Sequence, residues 1–485
     1  MNEEIVLKRL YQLNEWWVSG TVPASKLESF RRKDLHFIVQ NMKQDDNILT
    51  IIGPRRVGKT TMLYQSIDTL IQEETDPKNI VFITADDDLL KLNTTDLVND
   101  CIEVYEKNIL GNTIAKLSQK IYVIIDEIQY YDNWNIKLKN WYDMKYKIKF
   151  VLSGSSSVNI LTGTSESLTG RMLHQIVMPL KFSEILRHKL EKEKILFTFS
   201  VGLTRKAFLD SISQKNPSII FEKLKEETMK LIPIKEKIEI VALDYAKKGG
   251  YPLQLKMEDE SSYTKQMQTY LDSTLYKDIV RLFEIRDPGV LHLLLTIVAG
   301  EGVHGSTIEA YSSELGKRKE TIQNYLNYLE KAFLISKSPF YSKNMRTRER
   351  NPKKIYISDT GIRNTILNQG SARIAEDPAE MGKIVQTVVH DHAKRLKFNL
   401  ESGALSTTTY YWKKDKEVDI VIEINQKPIP IEVKYSNSID KSDISGLISF
   451  QKKFKNPFGI VITKDRLELV ENIIYIPYWL FMLLC

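Results

Sequence analysis

The sequence contains little cysteine and no long apolar segment. Its 485 residues include only two cysteines, Cys101 and Cys485. Two thiols are too few for a disulfide framework or for a zinc site built from several cysteines, so a reducing compartment is the simplest expectation. No run of about 18 apolar residues is present, which predicts a protein without a membrane-spanning helix.

The N-terminus also lacks the layout of a secretory signal. It begins MNEEIVLKRLYQLNEWW, with acidic residues first and no apolar segment after them. The composition, 42% hydrophobic and 27% charged, is that of a globular protein. We therefore expect a cytoplasmic protein of roughly two to four domains. The net charge of +7 permits contact with nucleic acid without requiring it.

A glycine-rich loop follows the first apolar run of the chain. Residues 47–61 read NILTIIGPRRVGKTT, and the segment MLYQSIDTLIQ that follows has helical periodicity. The order strand, GxxxxGK[ST] loop and helix is the context that a phosphate-binding loop requires, because the loop amides and the helix N-terminus attract phosphate. The sequence therefore predicts an ATP site. We expect its nucleotide-binding residues to be Gly53, Pro54, Arg55, Arg56, Val57, Gly58, Lys59, Thr60 and Thr61.

A second apolar run ends in two acids. In IYVIIDEIQ, residues 121–129, the run is followed by Asp126 and Glu127. Buried acids are costly unless they bind something. We expect Lys59 to contact the β- and γ-phosphates, Thr60 and Asp126 to hold Mg²⁺, and Glu127 to orient the attacking water. These residues predict a Mg²⁺-dependent ATP hydrolase, with one further strand in NIVFITADDD, residues 79–88.

Two more strands are predicted, and polar residues accompany both. The run IKFVLSGSSS, residues 148–157, ends in hydroxyls; Ser153, with Ser155 as second choice, is expected to sense the γ-phosphate, unless the serines only begin a loop. Arg171 precedes the strand predicted in HQIVMPL, residues 174–180. It is expected to act as a catalytic arginine finger, in cis or from a neighbouring subunit of a homo-oligomer, or else to form a structural salt bridge.

Five strands alternating with helices predict an α/β fold with a doubly wound parallel sheet and ligands at the carboxyl ends of the strands. The segments GPRRVGKTT, IIDEIQ, LSGSSS, SLTGR and MPLKFSEIL together resemble a prokaryotic, archaeal-type family of AAA ATPases. The resemblance extends over nearly the whole chain. It implies ATP binding and hydrolysis, and a C-terminal half with a helix-turn-helix and a restriction-endonuclease-like domain.

The middle of the chain is rich in helical patterns and charge. The break GGYP, residues 249–252, resembles a motif of the same family, and residues 306–334 have the spacing of a helix-turn-helix. A basic segment follows, typical of a DNA-contacting wing, although such domains also bind proteins. The expected DNA contacts are Lys317, Arg318, Lys319, Gln323, Asn324 and Asn327, and the basic segment contains Lys343, Arg346, Arg348, Arg350, Lys353 and Lys354.

Near the end of the chain, two predicted strands flank a turn at residues 425–427. Asp419 lies on the first strand, and Glu432 and Lys434 share a face of the second. This is the D…ExK pattern of PD-(D/E)xK nucleases, in which two carboxylates hold Mg²⁺ or Mn²⁺; the alternative is an ion pair on a wet sheet surface. Relatives often place a glutamate where this chain has Gln386, which puts nuclease turnover in doubt.

We divide the chain into four predicted domains: an ATPase core at residues 1–186, a helical lid at 187–285, a winged helix at 286–365 and a nuclease-like domain at 366–485. On the nuclease-like helix, His390 and His392 are expected at the surface rather than as ligands. The favoured hypothesis is an ATPase that moves a DNA-binding C-terminal half. The alternatives are an ATP-regulated nuclease and a slow nucleotide switch that binds a protein partner.

Overall fold

The computed structural model describes residues 1–44, 46–155, 168, 170–302, 307–370, 374, 376–401 and 408–485. The chain divides into two compact units, Met1–Met178 and Pro179–Cys485. Within the described ranges no helix has both the length and the apolar character needed to cross a bilayer. Residues 156–157 of LSGSSS, and residues 167 and 169 of SLTGR, lie outside the described part of the chain.

The first unit is built on a five-stranded parallel sheet with the order β2-β3-β4-β1-β5. This sheet confirms the predicted α/β class. The first four strands are apolar runs buried on both faces, as expected of parallel strands covered by helices. The strands are β1 (Ile48–Ile52), β2 (Ile80–Thr84), β3 (Ile121–Asp126), β4 (Ile148–Gly154) and β5 (Met172–Ile176).

The N-terminal segment covers the free edge of β2. Asn14 pairs with Phe82 in both directions, donating to the Phe82 carbonyl at 2.9 Å and accepting from the Phe82 amide at 2.6 Å. The indole N–H groups of Trp16 and Trp17 donate to the Ile80 carbonyl. These contacts occupy backbone groups that an edge strand otherwise leaves unpaired. The α-helices of this unit are Glu3–Leu13, Trp16–Ser19, Lys33–Gln44, Lys59–Gln72, Asp88–Asn93, Leu97–Tyr105 and Trp134–Asp143.

The second unit contains a mixed six-stranded sheet with the order β12-β13-β11-β10-β9-β8. Its central hairpin, β9 and β10, turns at Asn425 and Gln426, whose φ values of 49° and 63° suit a tight two-residue turn. A separate antiparallel pair is formed by β6 (Ile335–Ser338) and β7 (Lys354–Ile357). The six strands are β8 (Tyr410–Lys413), β9 (Glu417–Ile424), β10 (Lys427–Val433), β11 (Gly459–Thr463), β12 (Glu468–Val470) and β13 (Ile473–Pro477).

Helices make up most of the rest of the second unit. The helix Pro378–Leu400 packs against β9 and β10, and the helices Ile308–Leu315 and Lys319–Lys331 precede β6. The other α-helices are Phe182–Lys192, Val201–Gln214, Ser218–Leu231, Lys235–Lys248, Glu260–Asp272, Val280–Phe283, Pro288–Glu301, Met345–Arg350, Thr360–Ile366, Ser445–Phe454 and Tyr478–Leu483.

Candidate functional site

The loop between β1 and the helix Lys59–Gln72 is shaped by two glycines. A Cβ on Gly53 would lie 1.9 Å from the carbonyl oxygen of Val177, so no larger residue fits there. Gly58 has a φ of 96°, which L side chains rarely adopt. The Nζ of Lys59 is buried and donates to the Gly53 and Pro54 carbonyls at 2.9 and 2.8 Å. The loop therefore wraps around the ammonium group of its own lysine.

The first helical turn and the end of β3 meet at Asp126. The hydroxyl of Thr60 donates to one carboxylate oxygen at 2.7 Å, and the hydroxyl of Ser153 donates to the other. Burial, followed by the charge of Glu127, raises the pKa of Asp126 to about 6. A buried carboxylate beside a threonine hydroxyl is an oxygen donor set that fits Mg²⁺, whose charge would offset the burial of the acid. The structure thus brings Thr60, Asp126 and Ser153 together.

Glu127 is held by its backbone as well as by its side chain. Its φ of 53° is in the left-handed region, and its amide donates to Ser153 Oγ at 3.3 Å. Its carboxylate accepts from the side-chain amide of Gln129. No role was predicted for Gln129 from the sequence. Its spacing from Glu127 does not by itself show that the short helical turn Ile128–Tyr130 folds it back onto that acid.

Arg171 does not lie at the phosphate loop. Its carbonyl accepts from the amide of Ile48, at the start of β1, whereas the loop follows the other end of that strand. Its guanidinium contacts Asp143 at 3.2 Å and lies over the ring of Tyr142. The expectation of a finger acting in cis is therefore corrected: the chain places Arg171 at the amino edge of the sheet, in a salt bridge. A role at the site of a neighbouring copy stays a prediction.

A second group of polar residues lies on β9, β10 and the helix Pro378–Leu400. Asp419 accepts from Gln386 Nε2 at 2.8 Å through one oxygen and from the Val433 amide at 2.9 Å through the other. Glu432 is 5% exposed and contacts Lys434 Nζ at 3.1 Å. The structure thus brings together the three residues of the D…ExK pattern, and Gln386 occupies the position where an acid was expected.

Lys434 and Lys354 offset part of the negative charge of Asp419 and Glu432. The Oε2 atom of Glu432 is buried with no partner among the described residues. Burial, and then the charge of Asp419, raises the pKa of Glu432 well above its usual range. Two carboxylates fit one divalent cation, but in the described part of the chain no three His, Cys, Asp or Glu side chains converge as a metal site would require. Gln386 offers Asp419 an N–H donor in place of a third anionic ligand.

The two histidines of this helix are buried, which corrects the expectation of a surface position. His390 stacks on Tyr356 with ring centroids 3.7 Å apart, and Thr409 Oγ1 lies 2.9 Å from its Nε2. His392 is fully buried, and its Nε2 lies 3.4 Å from the amide of Phe182. They are core residues because the long helix is covered on this side by other elements of the second unit.

Fewer cations of the basic segment between β6 and β7 are exposed than the sequence suggests. Arg348 points inward, donating to the Tyr410 hydroxyl at 3.0 Å and to Glu423 at 3.4 Å. Lys354 is buried and pairs with Glu417. This corrects the expectation of six DNA-facing cations, because aromatic and acidic groups of the adjacent sheet hold these two. The exposed cations of the segment are Lys343, Arg346, Arg350 and Lys353.

The second helix of the predicted helix-turn-helix faces part of that segment. A groove of about 650 Å³ lies between them, with Gln323 and Asn327 on the helix side and Arg350 and Lys353 on the other. Other expected contacts are engaged within the unit. Lys319 pairs with Glu309 at 2.9 Å, and Lys317 with Asp287 at 3.0 Å.

Comparison with known proteins supports the first unit most directly. Residues 45–186 match the model of a family described as an AAA domain. Residues 242–373 and 381–481 match two families described as domains of unknown function, DUF8612 and DUF4143. The first match agrees with the phosphate loop and the five-stranded parallel sheet described above, and the other two matches assign no activity.

Two uncharacterised relatives cover most of the chain. One, from Methanocaldococcus jannaschii, is 26% identical over 452 residues, covering 92% of this chain and 86% of the relative. The other, from Haemophilus influenzae, is 24% identical over 466 residues, covering 94% and 99%. Among solved structures, a Walker-type ATPase of Pyrococcus abyssi has a TM-score of 0.40 at 15% identity, covering 72% of this chain and 98% of that one. The Aeropyrum pernix ORC1 protein, solved in complex with DNA, has a TM-score of 0.32 at 12% identity, covering 75% and 96%.

Proposed function

We propose that this protein binds ATP with Mg²⁺ and hydrolyses it, a proposal supported by the match of residues 45–186 to an AAA domain. The observation that carries the proposal is the contact between Thr60 and Asp126, 2.7 Å apart beside the phosphate loop. A hydroxyl at the start of the loop helix and a carboxylate at the end of another strand of the same sheet are the two side chains with which P-loop enzymes hold the metal of the nucleotide.

The side chains of the proposed ATP site have different roles in binding and hydrolysis. The loop amides and Lys59 bind the phosphates and offset their charge. Thr60 and Asp126 hold Mg²⁺, which supplies further neutralisation of phosphate charge when bound. Glu127, half-buried beside Asp126, orients the water for in-line attack. Ser153 donates a hydrogen bond to Asp126 and lies near the carboxyl end of β4. From there it would sense whether the γ-phosphate is present.

Steady-state ATP turnover and equilibrium ATP binding test the proposal. Lys59→Ala should weaken binding and lower turnover by about 10²-fold or more, because the phosphates lose their cation. Glu127→Gln should keep ATP binding and lose turnover, because only the water is no longer oriented. Lys116→Ala, which changes an exposed lysine of the same unit, serves as control. Unchanged turnover in both site variants would remove the proposal.

We further propose that the second unit binds DNA through residues 307–357. Two helices joined at Gly316 are followed by the antiparallel pair β6–β7, which is the element order of a winged helix. The groove between the second helix and the basic segment is lined by the amides of Gln323 and Asn327 and by three cations and three acids, Lys337, Arg350, Lys353, Glu309, Glu330 and Glu349, with the exposed cations Lys343 and Arg346 elsewhere on the segment. Such a surface would bind mainly through phosphates, so its affinity should fall steeply with salt.

A gel-shift titration across salt, with and without a non-hydrolysable ATP analogue, tests DNA binding and its control by nucleotide. The triple variant Lys343→Gln, Arg346→Gln and Arg350→Gln should weaken binding by about tenfold or more and lower the salt slope. The matched control neutralises three exposed lysines elsewhere in the unit, Lys206, Lys225 and Lys452. Equal loss in both variants, or no binding at low salt, would favour a protein partner instead.

A metal-dependent nuclease is the second candidate function, favoured by the buried Oε2 of Glu432, which lies beside Asp419 and has no hydrogen-bond partner in the described part of the chain. The test measures Mn²⁺-dependent thermal stabilisation and cleavage of plasmid and single-stranded DNA. If the site takes a metal, Mn²⁺ should raise the Tm of the wild type, Asp419→Ala should abolish that rise, and Gln386→Glu should increase it by adding an anionic ligand. Absence of cleavage with every metal and nucleotide would exclude the activity.

A further inference from the structure

The side chain of Gln129 lies between the carboxylate of Glu127 and the tip of β4. Its Nε2 donates to Glu127 and also to Ser155 Oγ at 3.0 Å. Gln129 is 9% exposed and Ser155 is 6% exposed, so the contact between them is buried, whereas the contact with the half-buried Glu127 is partly buried. Gln129 therefore connects the acid at the end of one strand to the residue that follows the next strand.

The chemistry of the neighbours determines which end of the amide faces them. An ionised carboxylate can only accept hydrogen bonds, so the NH₂ group of Gln129 must point toward Glu127. This orientation leaves the Oε1 atom of Gln129 buried without a partner among the described residues. An unmade hydrogen bond of this kind costs roughly 1–3 kcal/mol. The two hydrogen bonds that Gln129 donates therefore fix the orientation of its amide group, although its oxygen has no hydrogen-bond partner among the described residues.

The end of β4 is connected to both acids. Ser153 lies in the strand, and Ser155 follows its last residue, Gly154. Ser153 donates to Asp126 directly, whereas Ser155 is connected to Glu127 only through Gln129. Two short hydrogen-bonded chains thus extend from one strand tip to the two acids of the site, and Gln129 is the middle member of the second chain.

We propose that Gln129 is a positioning residue for ATP hydrolysis, which fixes the carboxylate of Glu127 and couples it to the tip of β4. The inference rests on the proposed function of Glu127. The left-handed backbone of Glu127, with a φ of 53°, sets where its side chain begins, and the contact with Gln129 sets where the carboxylate ends. A carboxylate released from this contact spends less time in the orientation that holds the water, which lowers kcat without changing ATP affinity.

A double-mutant cycle tests the inference on the full chain. Gln129→Leu keeps the approximate shape of the side chain and removes both donors; we expect kcat to fall by about 10- to 100-fold with KM for ATP changed less than about threefold. Glu127→Gln should lose turnover. Adding Gln129→Leu to Glu127→Gln should cause no further loss, because Gln129 acts only through the acid. A merely structural role would lower kcat in both backgrounds and would weaken ATP binding as well.

The outcomes separate this inference from the proposed function. If Glu127→Gln leaves turnover unchanged, the proposed function of Glu127 fails. If Glu127→Gln loses turnover but Gln129→Leu has no effect, or has the same effect in both backgrounds, only the role of Gln129 is overturned. If Gln129→Leu no longer unfolds cooperatively, Gln129→Glu and Ser155→Ala replace it. Gln129→Glu should lower kcat more than Ser155→Ala does, since it places a like charge against Glu127, and unchanged kcat in both variants would overturn the inference.

Discussion

Gly249 and Asp359 contact each other so closely that no side chain fits between them. A Cβ on Gly249 would lie 2.1 Å from Asp359 Oδ1, and the other oxygen of that carboxylate accepts from the Gly250 amide at 2.7 Å. Gly361, two residues after the acid, is packed against the Lys248 carbonyl in the same way. The GGYP break therefore packs directly against the residues that follow β7. No side chain fits at Gly249 or at Gly361, which explains why both positions are glycine.

Gly249→Ala should destabilise the second unit by about 2–4 kcal/mol, because it adds a clash with a buried carboxylate to the strain of a φ of 73°. Denaturant-induced unfolding measures the change. Gly316→Ala is the comparison: a Cβ there would meet nothing within 4 Å, and its φ of 61° and ψ of 29° lie in the left-handed region, so it should cost about 1 kcal/mol. Gly249 has a ψ of −156°, a conformation that essentially only glycine adopts, so its substitution adds greater backbone strain as well as the clash. Equal losses in the two variants would show that neither the contact with Asp359 nor this backbone conformation contributes.

The hydroxyl of Thr60 should matter more than its shape. Thr60→Val keeps the volume of the side chain and removes the donor to Asp126 at 2.7 Å together with the proposed metal ligand. We expect ATP turnover to fall by about 10²-fold and the Mg²⁺ concentration for half-maximal activity to rise. Thr69→Val, on the same helix but with its hydroxyl bonded to the Gln65 carbonyl, should leave the Mg²⁺ dependence unchanged. An identical Mg²⁺ profile for Thr60→Val would contradict its assignment as a ligand.

The remaining role for Arg171 can be tested by mixing variants. Because Arg171 lies at the edge of the sheet opposite the phosphate loop, it can serve catalysis only at the site of another copy. Lys59→Ala lacks a working site but keeps Arg171, and Arg171→Ala has the reverse defect. If the arginine acts in trans, mixing the two inactive proteins should restore part of the wild-type turnover. Failure of the mixture, with Arg171→Ala active by itself, would favour a structural role in which Arg171 contacts Asp143 and Tyr142.

The sequence predicts the sheet of the first unit well where strands are buried on both faces. The run Ile48–Ile52 gives β1 to its observed ends, because five largely apolar, β-branched-rich residues that lead into a glycine loop are too short for a helix and typical of a buried strand. β5 is displaced: the prediction covered residues 174–180, whereas the strand is Met172–Ile176. Its five residues are only half-buried, so hydrophobicity marks its ends poorly, and the apolar residues that follow it lie outside the sheet.

Site residues are predictable where a motif fixes the local backbone, and less so where the tertiary fold decides. The loop and Asp126 come together because β1 and β3, separated only by β4, are parallel strands whose carboxyl ends lie at the same edge of the sheet. By contrast, Arg348 is basic in sequence but is held by Tyr410 and Glu423, more than 60 residues away along the chain. The contact between Gln129 and Glu127 is also hard to predict, although the two residues are close in sequence. The short helical turn that contains Gln129 folds its side chain back toward Glu127.

The buried His390 gives the second unit a stability that depends on pH. Burial lowers the pKa of His390 to about 3, whereas an unfolded histidine titrates near 6.5. The unfolded chain therefore binds the proton that the folded unit excludes, so stability from this residue is present above about pH 6.5 and is lost as the pH falls toward 3. His390→Phe keeps a ring to stack on Tyr356 and removes the titration. Across pH 6.5 to 4 its free energy of unfolding should fall less steeply than that of the wild type, by up to about 1.4 kcal/mol per pH unit. His292→Phe, at a partly exposed position, is the control, and parallel slopes for wild type and His390→Phe would show that this histidine does not cause the acid sensitivity.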